Sequence, residues 1–155
     1  MDDTTMIRIV AGLLFLGVLF AVLITPAILY ILTLSRALNK CAFSSRTIQP
    51  GTLWLLLIPL VNLIWHFVVV NGMAQSLGNE FRTRNLTSTD PEPGKSIGIA
   101  MCVCGACGLI PLLGILAGIA YLVLWVIYWL KIAEFSRRLD FAPTAMAIPV
   151  SNSWQ

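Results

Sequence analysis

Charge is missing from the two longest apolar stretches of this chain, and that absence decides its class. Residues 9–34 and 97–130 contain no Asp, Glu, Lys or Arg, and residues 52–70 are interrupted only by Pro59, Asn62 and His66. Runs of about 18 or more apolar residues read as membrane-spanning helices, because a backbone in hydrocarbon must satisfy its own hydrogen bonds. Long polar segments are also missing. No stretch outside the apolar runs is long enough to bury a soluble core, which excludes a nucleotide-binding or hydrolase domain carried by these 155 residues. Histidine is scarce: His66 stands alone, so bis-histidine haem ligation within the chain is excluded, and ligation of a haem or pigment through His66 alone has no further support.

What is present fits a membrane domain. The net charge of +3 is no nucleic-acid signature, since the basic residues sit in short clusters beside the apolar runs. The start of the chain is acidic (Asp2, Asp3) and its first apolar run exceeds a signal-peptide core, which reads as a retained signal anchor. The four cysteines do not form a secreted disulfide framework: Cys102, Cys104 and Cys107 lie inside an apolar run, and Cys41 is alone in a polar segment. A bacterial inner membrane is the expected location. Asn85-Leu86-Thr87 matches a glycosylation sequon, a triplet too common to carry weight.

Punctuation divides the chain into an all-α membrane fold of four transmembrane helices in two hairpins. A first helix is expected over residues 7–39, kinked at Pro26, with Thr25 able to bond a freed carbonyl. Pro50-Gly51 leads into a second helix over 52–84, whose polar part beyond Val70 reads as a cytoplasmic or interfacial extension. Asp90-Pro91-Glu92-Pro93-Gly94 closes a loop. The 34 uncharged residues that follow are too long for one span and too short for two full ones. Pro111 and Gly114 suggest a short third helix over 96–110 and a fourth over 114–139. Residues 1–140 then form one membrane domain and residues 141–155 an uncharged tail.

Topology signals conflict. With both termini cytoplasmic, seven of the ten basic residues lie inside, which favours that arrangement. The flanks of the first helix argue the opposite, with aspartates before it and Arg36, Lys40 and Arg46 after it. A second helix that dips in and returns at 59–62 as a re-entrant segment satisfies both signals; the plain four-span arrangement is preferred over it.

The chemistry-bearing residues are few. Asn62, His66, Met73, Ser76 and Glu80 fall on one stripe of the second helix. An ionisable group at membrane depth is a candidate for a proton or substrate path, but no carboxylate accompanies His66 at that depth, so interhelical hydrogen bonding is the preferred reading of Asn62 and His66. Cys104 and Cys107 form a C-x-x-C unit, yet the shuttling cysteine pair of a membrane thiol oxidoreductase is missing and no ligand set for a metal lies nearby. Gly98, Cys102, Gly105 and Gly108 make a small-residue face suited to close helix packing, as does the Gly114-x-x-x-Gly118 step. Trp54, Trp65, Tyr121, Trp125, Tyr128 and Trp129 read as aromatic belts. Arg36, Lys40, Lys131, Arg137 and Arg138 are expected to meet lipid headgroups.

Trp54, then Ile58-Pro59 after three intervening residues, then Asn62, carried within residues 46–65, form a pattern with residues 76–81 and 128–134. It resembles uncharacterised small four-helix bacterial membrane proteins. The resemblance covers about a third of the chain; it implies a four-helix membrane domain and brings no catalytic residue. The expected function is a non-enzymatic accessory or structural subunit of a larger membrane assembly. A homo-oligomeric channel or small transporter lined by the helix 2 stripe is the alternative, and a thiol oxidoreductase a distant third. No cofactor is predicted. Bound lipid, the bilayer, and other membrane subunits or copies of the chain are the expected partners; nucleic acid is not.

Overall fold

The computed structural model describes residues 2–86, 91–111 and 113–141, apart from the Leu23 side chain. Among them it is helical, without strands: α1 (Asp3–Lys40), α2 (Pro59–Thr83), α3 (Lys95–Cys107) and α4 (Gly114–Phe141), plus 3-10 helices at Phe43–Ser45 and Pro50–Leu57. By length and composition α1, α2 and α4 can each cross a membrane. At 13 residues α3 is about 20 Å long, short of a ~30 Å hydrocarbon core. The tail expected over 141–155 lies outside the described residues except for Phe141, which ends α4.

Helix 2 departs most from expectation. It begins at Pro59 rather than Thr52, with Ile58 extended ahead of it (φ −89°, ψ 110°). The residue before a proline is driven out of the helical region, and a proline at the first helical position loses no hydrogen bond there. Pro59 is a start, not a kink. Pro26 does lie within α1; the Thr25 hydroxyl donates to the Ala21 carbonyl (2.7 Å), one residue from the Val22 carbonyl that the proline leaves free.

Partner residues reveal the directions. Tyr30 meets Trp125, Thr33 accepts from Trp129, and Lys40 meets Ser136 and Asp140. The numbers rise together, so α1 and α4 are parallel. Tyr30 with His66 and Lys40 with Arg84 make α1 and α2 parallel as well. Against α2, however, Ala42 meets Glu80, Thr47 meets Ser76 and Thr52 meets Trp65, so residues 42–58 run backwards along it. This return segment must cover the Glu80-to-Pro59 distance, about 32 Å at 1.5 Å per residue. As an α-helix its own residues would reach only about 24 Å, whereas 3-10 turns and extended stretches rising about 2 Å per residue suffice. Geometry therefore explains why residues 50–57 are not α-helical. Gly98 against Tyr128 and Gly105 against Tyr121 set α3 antiparallel to α4.

Consequently α1, α2 and α4 end together at one pole. Of the ten Lys and Arg, only Arg8 lies toward the other pole, where α1 begins. The two turns at the far end of the bundle are apolar and uncharged, and residues 57–60, 109–111, 113 and 115 are exposed. Four alternating spans with both termini on one side do not fit this arrangement, because the start of α1 and the end of α4 lie at opposite poles.

The core sits in the charged half. Leu34, Leu38, Val69, Met73, Leu77, Met101, Tyr128 and Ile132 are fully buried there. The expected cytoplasmic or interfacial extension of helix 2 exists as a helix to Thr83, but Gly72–Ala74, Ser76–Gly78, Glu80 and Phe81 are buried, enclosed by the return segment and the 91–93 turn. Conversely, residues 2–22 of α1 are exposed throughout.

Candidate functional site

The polar stripe of α2 is split by what packs on it. Its lower part holds backbone. Ser76 Oγ donates to the Gly72 carbonyl (2.6 Å) and accepts the Thr47 N–H (2.9 Å). Glu80 accepts the Ala42 N–H (2.8 Å) and the Arg84 Nε–H (2.7 Å). The Arg84 fork donates further to the Leu139 and Lys40 carbonyls at 3.0 and 2.9 Å. Since the last carbonyls of a helix lack partners in the helix, one guanidinium closes the ends of α1 and α4 while neutralising a buried carboxylate. Cys41 follows directly, its thiol near the Ala37 carbonyl (3.5 Å) and pushed up to about 12 by burial and then by the Glu80 carboxylate. Cys41 is buried, so labelling it cannot report which side of a membrane it faces.

The upper part is different. His66 is 5% exposed and its Nε2 shares a 3.1 Å hydrogen bond with the Tyr30 hydroxyl. One turn earlier the Asn62 amide oxygen is buried with no partner. Two cavities meet at these side chains. The larger, 390 Å³, lies between α2, α3 and α4 and is lined by Pro59, Cys102, Cys104, Gly105, Gly108, Gly114 and Gly118. The smaller, 220 Å³, lies toward α1, bounded by Pro26, Ala27, Leu56, Leu122 and Trp125. Tyr121 lines both, and neither lining includes a charged residue. Met73, fully buried between the two parts of the stripe, separates the cavities from Glu80.

The small residues divide likewise. A methyl group on Gly98 would collide with Val70 and Tyr128, and one on Gly105 would press on Tyr121 at 3.2 Å. At Gly108 the neighbour is the Gly105 carbonyl of α3, at 3.2 Å, and at Gly114 it is the Gly108 carbonyl of the α3–α4 turn, at 3.0 Å. Gly118 meets nothing within 4 Å among the described residues, so the Gly114-x-x-x-Gly118 step packs none of the described helices at that position and instead keeps the cavity open. Cys102 is buried, while Cys104 and Cys107 are half-buried free thiols. Among the described residues no group of metal-ligating side chains gathers.

Arg36, Arg137 and Arg138 are exposed at the charged pole, Arg138 pairing with Glu134 at 2.6 Å; Lys131 is half-buried and Lys40 bridges to Asp140 at 2.7 Å. The aromatic residues are less belt-like than expected. Tyr30, Trp125, Tyr128 and Trp129 form an internal cluster with ring centroids 5.3–6.4 Å apart around Tyr30, extended by His66. Sequence reasoning did not single out Tyr30 or Arg84: Tyr30 is one apolar-run residue among many, and Arg84 resembles any helix-end cation. No family model, curated protein or solved structure matches the chain.

Proposed function

We propose that this chain is a non-enzymatic accessory subunit of a membrane assembly, anchored by α1 and inserted further by two hairpins. In this reading α1 alone crosses the bilayer. The return segment with α2, and α3 with α4, enter from the charged pole and turn back inside the hydrocarbon. Three features support the insertion: the apolar, uncharged turns at 57–60, 109–111 and 113–115, the gathering of basic residues at the opposite pole, and the packing of one side of the 3-10 segment, through Leu53 and Leu56, against α1 and α2. Non-helical backbone at membrane depth needs such protein cover. The positive-inside bias then makes the charged pole cytoplasmic and the acidic start of α1 external.

The observation that carries the accessory role is the first half of α1. By the α1–α4 pairing, α1 extends about 22 Å beyond the start of α4, and its residues 2–22 are exposed. Together with the apolar turns it makes a stepped apolar seat, wall and floor, toward the pole where α1 begins. A hydrophobic helix of another subunit fits that seat. Extraction in mild detergent followed by sizing and mass spectrometry tests it: a stoichiometric foreign subunit, lost when Gly12 and Gly17 are both replaced by Trp, is the expected result. A chain that purifies alone or only with copies of itself sinks the accessory role. The stripe-lined channel gains little from this geometry, because Asn62 and His66 face inward and Val69, Met73 and Leu77 are fully buried below them.

Insertion has its own test. In a variant without native cysteines, Thr5→Cys and Ser44→Cys should react with an impermeant maleimide from opposite sides, and Leu60→Cys and Ile110→Cys from neither. Labelling of both turns from the side of Thr5→Cys would restore full spans.

A further inference from the structure

We propose that the cleft between α2, α3 and α4 is a binding site for a neutral lipophile bearing a hydroxyl group, which it holds through the Asn62 amide. The cleft is 390 Å³, within the range of small-molecule sites, and it communicates in position with the 220 Å³ cavity through shared walls at Asn62, His66 and Tyr121. It stands open because four glycines line it, and at Gly118 a side chain would meet only open space. Its walls carry no charge, so a phosphate or carboxylate would lose its solvation there without a counter-ion.

The hydrogen-bonding capacity of the wall names the chemistry. His66 Nε2 is taken by Tyr30, but the Asn62 oxygen is buried without a donor. An amide left unmatched at this depth is costly, and a half-turn about its last bond exchanges oxygen and nitrogen with little change of shape. A hydroxyl both donates and accepts, so it pairs with whichever end of the Asn62 amide faces the cleft; an ester or ketone only accepts and cannot pair with the oxygen. Glycerolipids with a free hydroxyl and isoprenoid quinols share this chemistry. The cleft does not depend on the accessory role, and its test requires no partner subunit.

Native mass spectrometry of the detergent-solubilised protein reads the binding directly. Didecanoylglycerol is compared with its acetylated form, and decyl-benzoquinol with the matching quinone. At least one hydroxyl-bearing probe should bind about tenfold more tightly than its capped or oxidised counterpart, the discrimination expected of one buried hydrogen bond. The tighter of the two identifies the source class. Gly118→Leu, which fills the cleft, should abolish binding while the protein still melts cooperatively. Asn62→Leu, which removes the orphaned amide without adding bulk, should leave binding but reduce the preference to less than about twofold. Equal binding of capped and free probes, or binding that survives Gly118→Leu, overturns the proposal.

Discussion

Replacing Arg84 by alanine is the sharpest probe of how this fold is closed. The Arg84 and Glu80 side chains are 8% and 3% exposed, so the substitution strands a carboxylate where water cannot reach it. Breaking a buried pair from one side costs about 3–5 kcal/mol, mostly the penalty of the uncompensated charge. The Lys40 and Leu139 carbonyls lose their donor in the same step, but they lie at helix ends where water can enter, so the total stays near that range. Arg84→Lys separates the two contributions. It keeps a positive charge near Glu80 but cannot span three acceptors, and it should cost about 1.5–3 kcal/mol, the worth of hydrogen bonds to a charged group. Glu80→Gln with Arg84→Met removes both charges and should be milder than Arg84→Ala alone. Unfolding in mixed micelles of increasing SDS fraction, followed by tryptophan fluorescence, measures all three. A loss below about 1 kcal/mol for Arg84→Ala would mean that the pair is solvated and does not join the helix ends.

Glycines give a paired test: Gly98→Ala should destabilise by about 1–3 kcal/mol through overpacking against Val70 and Tyr128, while Gly118→Ala should be neutral; equal effects in the same unfolding assay would refute the packing described. Tyr30→Phe leaves a buried imidazole nitrogen without its partner and should cost about 1–3 kcal/mol, read from the same curves; no loss would mean that the Tyr30–His66 bond is not formed in solution. The Cys41 thiol should resist maleimide at pH 7 until the protein is denatured, and rapid native labelling would contradict its burial. Its ionisation also has a sign. With the folded thiol raised from 9.0 to about 12, the unfolded chain loses its proton first, so this contribution to stability is intact below pH 9 and falls through pH 9–12 by up to about 1.4 kcal/mol per pH unit. Cys41→Ala should flatten that part of the pH dependence, and an unchanged slope would assign it elsewhere.

Composition and periodicity by themselves determined that this is an all-helical chain with apolar helices long enough for a membrane, because an uncharged run of that length has few other stable homes. They also located the breaks at 91–94 and near Pro111, where backbone chemistry is local, but not the start of helix 2, which lies at Pro59 rather than after Pro50-Gly51. The direction of helix 2 was not local. Residues 52–58 are as apolar as residues 59–65, and nothing in their period distinguishes an α-helical turn from a 3-10 return. Only the requirement that Ala42 begin beside Glu80 and Ile58 end at Pro59 fixes the longer rise, and with it the shared direction of α1, α2 and α4.

The candidate site was legible in the same partial way. The stripe from Asn62 to Glu80 could be read from 3.6-residue periodicity, but its division could not. Tertiary structure decided that Ser76 and Glu80 hold backbone, that Asn62 and His66 border cavities, and that Gly118 opens space where Gly98 closes it. The physical reason is the same throughout. Sequence fixes which face of a helix a side chain occupies, whereas its role depends on what another segment, distant along the chain, brings against that face.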